Sequence, residues 1–282
     1  MSPPAGGGRP SVAVVGHVEW VVHVRGVMPP AGQIAHLEDP IEEPAGGGAV
    51  TAAQVAKLGA RSLFFTALGD DARGEASGER LAAEGVEVLA VRSKRPQTWA
   101  LSAAGPDGER GIAVVGPALV ACADDPLPWE RIATCRAAYF TGHDPAALVR
   151  ARAADVLVVT ARRITELVTS GVHADVIVAS GTDAGERFDP ADLPVAPGAR
   201  VITEGARGGR IVARDGERRF ASSAPPGPVL DTYGAGDSFA AGLTVGLARG
   251  LTLDDACLLG ARCGAAALTA RGGLLGQLRE AG

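Results

Sequence analysis

Short apolar runs rich in valine alternate with segments of helical period along most of this sequence. A buried strand of a parallel sheet is a short, nearly continuous apolar run, whereas an amphipathic helix repeats apolar residues every three to four positions. Regular alternation of the two builds crossover units around a parallel sheet, so the sequence predicts the α/β class. The predicted strands are VAVVG (12–16), SLFFTALG (62–69), AAYFTG (137–142), VLVVT (156–160), DVIVAS (175–180) and RVITEG (200–205), and the predicted helices span 48–58, 74–84, 145–154 and 163–170.

Two stretches, residues 17–44 and 93–116, interrupt this alternation. The second contains TWALSAAGPDGERGIAVVG, which predicts two strands around a PDG turn. Open α/β sheets bind ligands beyond the carboxyl ends of their strands, so a small β flap there would cover a site. We therefore expect both stretches to form a lid. A further hairpin is predicted in RIVARDGERRF, residues 210–220.

The composition is that of a globular protein with a large core. The chain has 282 residues, 46% of them hydrophobic and 21% charged. These values predict one domain over residues 11–282, preceded by a flexible tail at 1–10. The formal net charge of −5 argues against a broad basic surface for nucleic acid, which favours a small-molecule substrate.

Cysteine spacing and hydropathy bear on the compartment. The four cysteines form no CxxC pair and have no neighbouring histidines at zinc-ligand spacing, so a reduced, cytoplasmic location is the default interpretation. No run reaches the roughly 18 uninterrupted apolar residues of a membrane span. The start, MSPPAGGGRP, lacks the basic and apolar regions of a signal peptide. We expect neither secretion nor a membrane partner.

The scarcity of lysine excludes one class of phosphate site. Only Lys57 and Lys94 are lysines, and neither follows a glycine. The Walker motif GxxxxGK[ST] is therefore absent. A phosphate site in this chain has to use another arrangement of backbone amides and side chains.

The most informative segment is PVLDTYGAGDSFAAGLTVGLARG, residues 228–250. A turn-forming run precedes apolar residues spaced four apart on one helical face, so the glycines lie at a helix N-terminus. There the first amide groups lack partners within the helix and the macrodipole is positive, which suits an anion. Gly234, Ala235 and Gly236 can therefore cradle a phosphate with no side chain in the way.

Asp237 follows in the first turn of that predicted helix. A carboxylate there can accept the proton of an attacking hydroxyl while the backbone holds the charge of the transferred group, as phosphoryl transfer requires. A helix N-cap made by Asp237 and Ser238 explains the same residues without any function. The residues alone leave both interpretations open. A dinucleotide-binding fingerprint is excluded, because GxGxxG would need glycine in place of Phe239.

The run DTYGAGDSFAAGL closely resembles DTxGAGDxFxxG, the C-terminal signature of the ribokinase-like, or PfkB, family of carbohydrate kinases. The resemblance implies a three-layer α/β/α core with a mostly parallel sheet and a small β lid. It also implies an ATP- and Mg²⁺-dependent phosphotransferase, in which Asp237 is the catalytic base and the backbone from Gly234 to Asp237 is the anion hole. Asp231 resembles the aspartate that helps to organise a loop for a monovalent cation such as K⁺ in many members.

An earlier segment resembles the same family. PAGGGAVTAAQVAKLGA, residues 44–60, is similar to its N-terminal glycine motif, which places Gly46, Gly47 and Gly48 at the substrate. A glycine-rich turn before a helix explains these residues equally well on physical grounds. The distal signature favours the substrate role.

Two later segments resemble the nucleotide-binding parts of family members. VITEGARGG, residues 201–209, is similar to a nucleotide-contacting strand and turn, which places Thr203, Glu204 and Gly205 near ATP. GARCGAAALTARGG is similar to the helix and loop that close around adenine, which places Cys263 there. A small packing residue is the alternative for this cysteine.

Departures from the family pattern concern mainly the acceptor. Many of its sugar kinases carry N-x-D after the first strand, whereas GHVEWV has Glu19 at the Asn position and Val21 at the Asp position. Glu19 is the candidate for binding hydroxyls, against the alternative of a surface residue at the lid base. Val50 replaces an Asn that often follows the glycines. His143 and Asp144 are weaker candidates for the cleft, because a DP turn that opens a helix accounts for Asp144.

The family's NxxE motif, which organises Mg²⁺ and phosphate through water, has an altered counterpart here. It is Ser180-Gly-Thr-Asp183, with Glu186 three residues later. Asp183 is the first candidate for the magnesium sphere and Glu186 the second, because a hard cation prefers oxygen ligands and keeps several waters. A surface turn capped by Ser180 or Asp183 is the alternative.

These residues predict an ATP-dependent kinase that phosphorylates a hydroxyl of a small sugar-like molecule. A nucleoside kinase of the same fold is the nearest alternative, since Val50, Trp20 and Trp99 suit a more apolar acceptor. A non-catalytic sugar or nucleotide sensor is the alternative from another class, favoured by the altered motifs and opposed by the intact Asp237. The resemblance and an exposed lid edge predict a homodimer through the lid.

Overall fold

The computed structural model describes residues 9–105 and 110–280. The first eight residues of the predicted tail and the PDG turn at 106–108 lie outside the described residues. The strands are β1 (Ser11–Val15), β2 (Glu19–Arg25), β3 (Glu38–Ala45), β4 (Arg61–Gly69), β5 (Val86–Ser93), β6 (Trp99–Ala104), β7 (Arg110–Val115), β8 (Ala137–Phe140), β9 (Val156–Thr160), β10 (Val176–Ser180), β11 (Ala199–Thr203), β12 (Gly209–Ala213) and β13 (Gly216–Phe220). The α-helices are α1 (Gly47–Lys57), α2 (Ala72–Ala83), α3 (Pro145–Ala151), α4 (Ile164–Ser170), α5 (Ala235–Ala248) and α6 (Leu253–Ala267).

Nine strands form the main sheet, in the order β13-β12-β11-β10-β9-β8-β1-β4-β5. The strands from β11 to β5 pair in parallel, and β12 and β13 add an antiparallel hairpin at one edge. β1 lies between β8 and β4, with Val14 opposite both Tyr139 and Phe64. The strand order reverses at β1, which is where open α/β sheets place their ligand sites.

Helices cover both faces of this sheet because successive side chains of a strand point to opposite sides. Val12 and Val14 of β1 belong to one apolar cluster with residues of α1, α5 and α6. Ala13 and Val15 belong to a second cluster with residues of α3 and α4. The α/β class and the three-layer α/β/α arrangement that the sequence predicts are therefore confirmed.

A separate four-stranded sheet, in the order β3-β2-β6-β7, is the lid sheet. β2 pairs antiparallel with β3 and parallel with β6, and Trp20 lies opposite Trp99. Both segments that interrupt the strand and helix alternation contribute strands to it. β2 begins shortly after the end of β1, and β3 ends at Ala45, directly before the glycine motif. The lid sheet therefore joins the chain at the same end of the main sheet as that motif.

Most predicted strands and helices lie within a few residues of the observed ones, but β5 was missed. Its sequence, VEVLAVRS, carries Glu87 and Arg92, and most of its residues are only partly buried because it is an edge strand. Asp144 caps α3 as predicted, since its carboxylate accepts hydrogen bonds from the amides of Ala146 and Ala147. No α-helix within residues 9–105 and 110–280 combines the length and the apolar character of a membrane crossing.

Small residues allow α5 and α6 to pack closely. A methyl group at Gly242 of α5 would lie 2.8 Å from Gly260 Cα and 2.8 Å from Cys263 Sγ of α6. A methyl group at Gly246 would lie 2.8 Å from Ala256 Cα. Such distances require backbone to move, so glycine at these positions sets the spacing of the helix that carries the signature motif.

We expect Gly242→Ala to lower the free energy of unfolding by about 1–3 kcal/mol, because the added methyl group overpacks the contact between α5 and α6. Gly78→Ala in α2 is the matched control, since its methyl group would meet only Leu68 Cδ1, at 3.4 Å. Helix propensity should make that control neutral or more stable by up to about 1 kcal/mol. Urea unfolding of both variants checks this, and equal stabilities would contradict the packing account.

Candidate active site

The N-terminus of α5 lies open at the sheet end where the site is predicted. Gly234 precedes α5 in the left-handed conformation, with φ of 73°, and no side chain caps the helix. A methyl group at Gly236 would meet nothing within 4 Å. The first amides of α5 therefore face open space, as an anion site requires. Because Gly234 takes the capping position and Asp237 lies inside the first turn, the alternative of Asp237 as the N-cap is not what the structure shows.

Asp237 lies against two other elements of the predicted site. A methyl group at Gly47 would lie 3.2 Å from Asp237 Oδ1 and 3.2 Å from Thr141 Oγ1, so the carboxylate is next to the start of α1 and the end of β8. Desolvation raises the pKa of Asp237 to about 6. Arg162 acts in the opposite direction, whereas the charges of Glu186 and Glu19 raise the pKa further. The carboxylate is thus tuned toward neutral pH, where a general base works best.

The glycine motif opens α1 beside α5. Gly46 has φ of 83° and precedes the helix without a side-chain cap, so α1 also presents free amides. A methyl group at Gly48 would lie 2.7 Å from the backbone oxygen of His17, which shows how closely α1 approaches the end of β1. Thr51 Oγ1 donates to the backbone oxygen of Asp237 at 3.3 Å. The structure therefore brings the glycine motif and the signature motif together.

Glu19 and two histidines surround this position. Desolvation raises the pKa of Glu19, a partly buried residue at the start of β2. His17 and His143 meet edge to face, with their ring centroids 5.4 Å apart, and Nδ1 of each is buried without a hydrogen-bond partner. Burial lowers the pKa of His17 to about 3 and that of His143 to about 4. Both rings are therefore neutral at physiological pH and can donate or accept one hydrogen bond at each nitrogen.

The altered NxxE segment lies at the end of β10. Asp183 Oδ1 accepts from the amide of Gly185 at 2.8 Å, and Glu186 Oε2 accepts from the amide of Ser180 at 2.6 Å. Arg162, two residues after the end of β9, forms ion pairs with Asp183 and with Glu186, the latter at 3.0 Å. Asp183 thus caps the local turn, as the structural alternative supposed, and also belongs to a charged cluster near Asp237.

The carboxylates of this cluster fit a magnesium ion only in part. Asp183 and Glu186 offer the oxygen ligands that Mg²⁺ prefers, but the guanidinium of Arg162 already pairs with both. No group of three or more histidine, cysteine or acidic side chains within residues 9–105 and 110–280 is arranged to hold a metal ion. Asp231 is not part of the cluster, because its partners are Arg110 and the amides of Tyr233 and Gly272.

The predicted nucleotide residues divide into two groups. Thr203 ends β11 and Glu204 follows it, next to the altered NxxE segment, where the amide of Gly181 donates to the backbone oxygen of Thr203 at 2.8 Å. Glu204 pairs with Arg219 at 2.7 Å and Arg210 at 3.0 Å, which lowers the pKa of this carboxyl.

The other two predicted nucleotide residues differ in accessibility. Gly205 follows Glu204 with φ of 60°, and a methyl group there would meet nothing within 4 Å, so its backbone is open. Cys263 is fully buried between α5 and α6, so its side chain packs in the core and does not reach the surface. Of the two interpretations of this cysteine, the structure has the packing residue.

Most of this sequence matches one family. The match to pfkB family carbohydrate kinases covers residues 9–188 and 190–278. The chain belongs to the pfkB family. The resemblance of DTYGAGDSFAAGL and of the glycine motif to this family is therefore confirmed, whereas the roles of individual residues in this pfkB protein stay predictions.

Curated relatives match this pfkB chain over a limited segment. An acarbose 7(IV)-phosphotransferase from Actinoplanes sp. is 44% identical over 72 residues, which are 24% of each protein. An inositol 3-kinase from Arabidopsis thaliana is 48% identical over 62 residues, which are 21% of this chain and 16% of the relative. Each matched segment thus spans a quarter or less of the relative's length.

A solved structure matches the fold over nearly all of the chain. The ribokinase of Arabidopsis thaliana, complexed with ribose and ATP, has a TM-score of 0.77, covers 95% of this chain and 96% of its own, and is 19% identical in sequence. At this identity the likeness shows the fold alone.

Sequence reasoning missed several residues that lie close to Asp237 or to the glycine motif. His17 is one residue after the predicted first strand, and only its neighbour Glu19 stood at a family motif position. Arg162 and Arg163 follow VLVVT in the sequence, yet neither belongs to a quoted motif. Arg163 Nε donates to the backbone oxygen of Thr141 at 3.1 Å, beside the histidines. Polar residues at strand ends were the available signal, because those ends meet at one edge of the sheet.

Two neighbouring glycines should respond differently to alanine. In Gly47→Ala the new methyl group presses on the Asp237 carboxylate, so we expect kcat/KM to fall by about ten-fold or more with little change in Tm. In Gly48→Ala it presses on the backbone of Gly16 and His17, at 2.8 Å and 2.7 Å, so we expect a clear loss of Tm. Thermal melts and turnover with the best acceptor of the unchanged protein separate the two effects. A Gly47→Ala protein with full activity would contradict the placement of Asp237.

Proposed function

We propose that this protein is an ATP-dependent kinase that transfers a phosphoryl group to a hydroxyl of an uncharged, sugar-like molecule. One observation carries the proposal: the Asp237 carboxylate, with its pKa raised to about 6, lies beside the open N-terminus of α5. Membership of the pfkB carbohydrate kinase family supports the same reaction.

The proposed step is an in-line phosphoryl transfer. The acceptor oxygen forms a bond to the γ-phosphorus of ATP, its proton passes to Asp237, and the bond from the γ-phosphorus to the bridging oxygen breaks to leave ADP. The amides of Ala235 and Gly236, aided by the positive end of the α5 dipole, stabilise the charge on the transferred group. The lid sheet covers the acceptor and limits the access of water.

The chemistry around Asp237 indicates the class of acceptor. Glu19 carries a carboxylate, and His17 and His143 are neutral imidazoles, so these side chains suit hydrogen bonds to hydroxyls. Arg163 is a nearby cation, but its guanidinium is engaged with Thr141 and lies 3.8 Å from Glu166. A substrate that is already phosphorylated therefore has no free cation among these residues. Acarbose and inositol, named by two relatives, belong to the uncharged polyhydroxyl class.

The residues that suited a nucleoside acceptor have other partners. Val50 is fully buried, and methyl groups at Gly234 and Gly273 would each lie within about 3 Å of it. It therefore packs against the turn before α5. Trp20 Nε1 donates to Glu42 Oε2 at 2.6 Å, and the guanidinium of Arg73 lies 4.9 Å from the Trp99 ring centroid. These contacts favour the sugar-like acceptor over the nucleoside.

ATP is expected from the family, whereas the cations and the assembly are proposals. Asp183 and Glu186 would serve Mg²⁺, which neutralises phosphate charge when it is bound with ATP, after Arg162 releases them. A monovalent cation at Asp231 would have to share that carboxylate with Arg110. A homodimer through the lid sheet and a cytoplasmic location also stay predictions.

The pH dependence of turnover should follow the ionisation of Asp237. Only the ionised carboxylate accepts a proton, so we expect kcat/KM to fall about ten-fold per pH unit below pH 6 and to level off above it. His17 and His143, with pKa values of about 3 and 4, stay neutral between pH 5 and 8, so their ionisation should not change kcat/KM in that range. Because burial also raises the pKa of Glu19, the profile of Glu19→Gln is the control and should keep the acid limb. A flat profile between pH 5 and 8 would exclude Asp237 as the base.

Removal of the carboxylate should separate catalysis from stability. We expect Asp237→Asn to lower kcat by about 10²- to 10⁴-fold. The raised pKa means that the ionised carboxylate opposes folding once the pH exceeds the normal aspartate value, so at pH 8 the variant should be more stable by about 1–2 kcal/mol.

Acarbose, myo-inositol, ribose, fructose, adenosine and fructose 6-phosphate form the acceptor panel. Preference for adenosine would favour the nucleoside kinase, and binding without turnover by the unchanged protein would favour the sensor.

A further inference from the structure

An arginine of the lid sheet is bound to the signature motif of α5. Arg110, the first residue of β7, forms an ion pair with Asp231 and donates through Nη2 to Thr232 Oγ1 at 2.9 Å. The side chains of Arg110 and Asp231 are only 14% and 7% exposed, so solvent screens the pair weakly. The pair joins residues that are 121 positions apart in the sequence.

Asp231 holds the turn before α5 from inside. Its Oδ1 accepts from the amide of Tyr233 at 3.0 Å, and its Oδ2 accepts from the amide of Gly272 at 2.9 Å. The carboxylate therefore fixes the backbone that leads into Gly234 and ties it to the chain after α6. Arg110 supplies the positive charge that this nearly buried carboxylate needs.

Tyr233 connects the same contact to the glycine motif. The Arg110 guanidinium lies 5.1 Å from the centroid of the Tyr233 ring, in cation–π range. The Tyr233 hydroxyl accepts a hydrogen bond at 3.3 Å from the amide of Gly46, the residue before α1. On its other side the ring meets His23 of β2 edge to face, at 4.6 Å between centroids. The lid sheet, the turn from Asp231 to Gly234 and the glycine motif therefore meet around Tyr233.

We propose that Arg110 is a positioning residue that sets the turn from Asp231 to Gly234, and with it the amides of α5, when the lid sheet is docked. The inference rests on the proposed phosphotransfer for its kinetic consequence, but not for its structural one. Arg110 contacts neither Asp237 nor the glycine motif directly, and it acts through Asp231 and Tyr233. It makes the geometry of the anion hole depend on the lid.

Arginine suits this position better than lysine. Its planar fork reaches the carboxylate and the Thr232 hydroxyl while its face lies toward an aromatic ring, whereas the ammonium of lysine is a single point charge. Arg110→Lys should therefore retain the charge but lose part of the orientation. Arg110→Ala leaves Asp231 buried without a cation, so the turn has to rearrange or admit water.

Hydrogen exchange tests the structural half of the proposal without any substrate. We expect the amides of Tyr233 and Gly272 to exchange about ten-fold faster or more in Arg110→Ala, because Asp231 no longer holds one position. Arg25→Ala is the matched control. Arg25 is another arginine of the lid sheet and forms an ion pair with Asp39, but the side chains of Arg25 and Asp39 are 59% and 61% exposed. That control should exchange as the unchanged protein does. Unaltered exchange of both amides in a folded Arg110→Ala protein would overturn the proposal.

Kinetics test the functional half. We expect Arg110→Ala to lower kcat by about ten-fold or more, with the KM for ATP and acceptor changed by less than about three-fold, since the anion hole acts in the transition state. The kcat of Arg110→Lys should lie between that of the unchanged protein and that of Arg110→Ala. Guanidinium ion, well below denaturing concentrations, should restore part of the kcat of Arg110→Ala and have no such effect on Arg25→Ala, with NaCl as the ionic-strength control.

A second substitution shows whether Arg110 works through Asp231. In the Asp231→Asn background, Arg110→Ala should lower kcat far less than it does in the unchanged protein, because the carboxylate through which Arg110 acts is already absent. Independent, additive losses would overturn the proposed route. If the unchanged protein turns over no acceptor but the exchange result is as expected, the proposed function fails and the positioning of the turn by Arg110 stands.

Discussion

The site depends on the close approach of two helix N-termini. α1 begins against the end of β1, where only glycine fits at position 48, and α5 begins after a left-handed glycine at position 234. The side chain of Thr51 in α1 binds the backbone of Asp237, so the spacing of the two helices and the position of the Asp237 carboxylate are coupled. Both macrodipoles direct positive potential into the same cleft. That potential would favour an anion bound between the two helix N-termini.

The charged groups around Asp237 shift its pKa in opposite directions. Asp237 is desolvated and has its pKa raised, whereas Arg162, whose charge lowers that pKa, already pairs with Asp183 and Glu186. The Asp237 carboxylate is therefore not locked in an ion pair, and its raised pKa is compatible with the proposed role of general base. Binding of a polyphosphate would compete for Arg162, which would alter the charges around Asp237 at the moment when the second substrate is present.

The sequence predicted the class, the layers, most strands and the turn before α5, because these follow from local period and from a long motif. It missed β5, whose edge position lets charged residues interrupt the apolar run. It identified Glu19 from its place in a motif but not His17, whose burial and contact with His143 depend on the end of β8, more than 100 positions away in the chain. It assigned Cys263 to the nucleotide from a resemblance of segments, while helix packing decides its environment. Contacts between distant segments were the part that no local pattern could supply.

The lid sheet has a consequence for the order of folding. Its two hairpin-like halves, β2 with β3 and β6 with β7, come from segments that are separated by α1, β4, α2 and β5, and they meet only through the parallel pairing of β2 with β6. Contacts between distant segments carry a larger loop-closure entropy, which is offset only once the intervening elements are compact. We therefore expect the central strands around β1 to assemble first and the lid to consolidate last. In a nascent chain, the turn before α5 would also lack its contact with the amide of Gly272 until the segment that follows α6 has been synthesised.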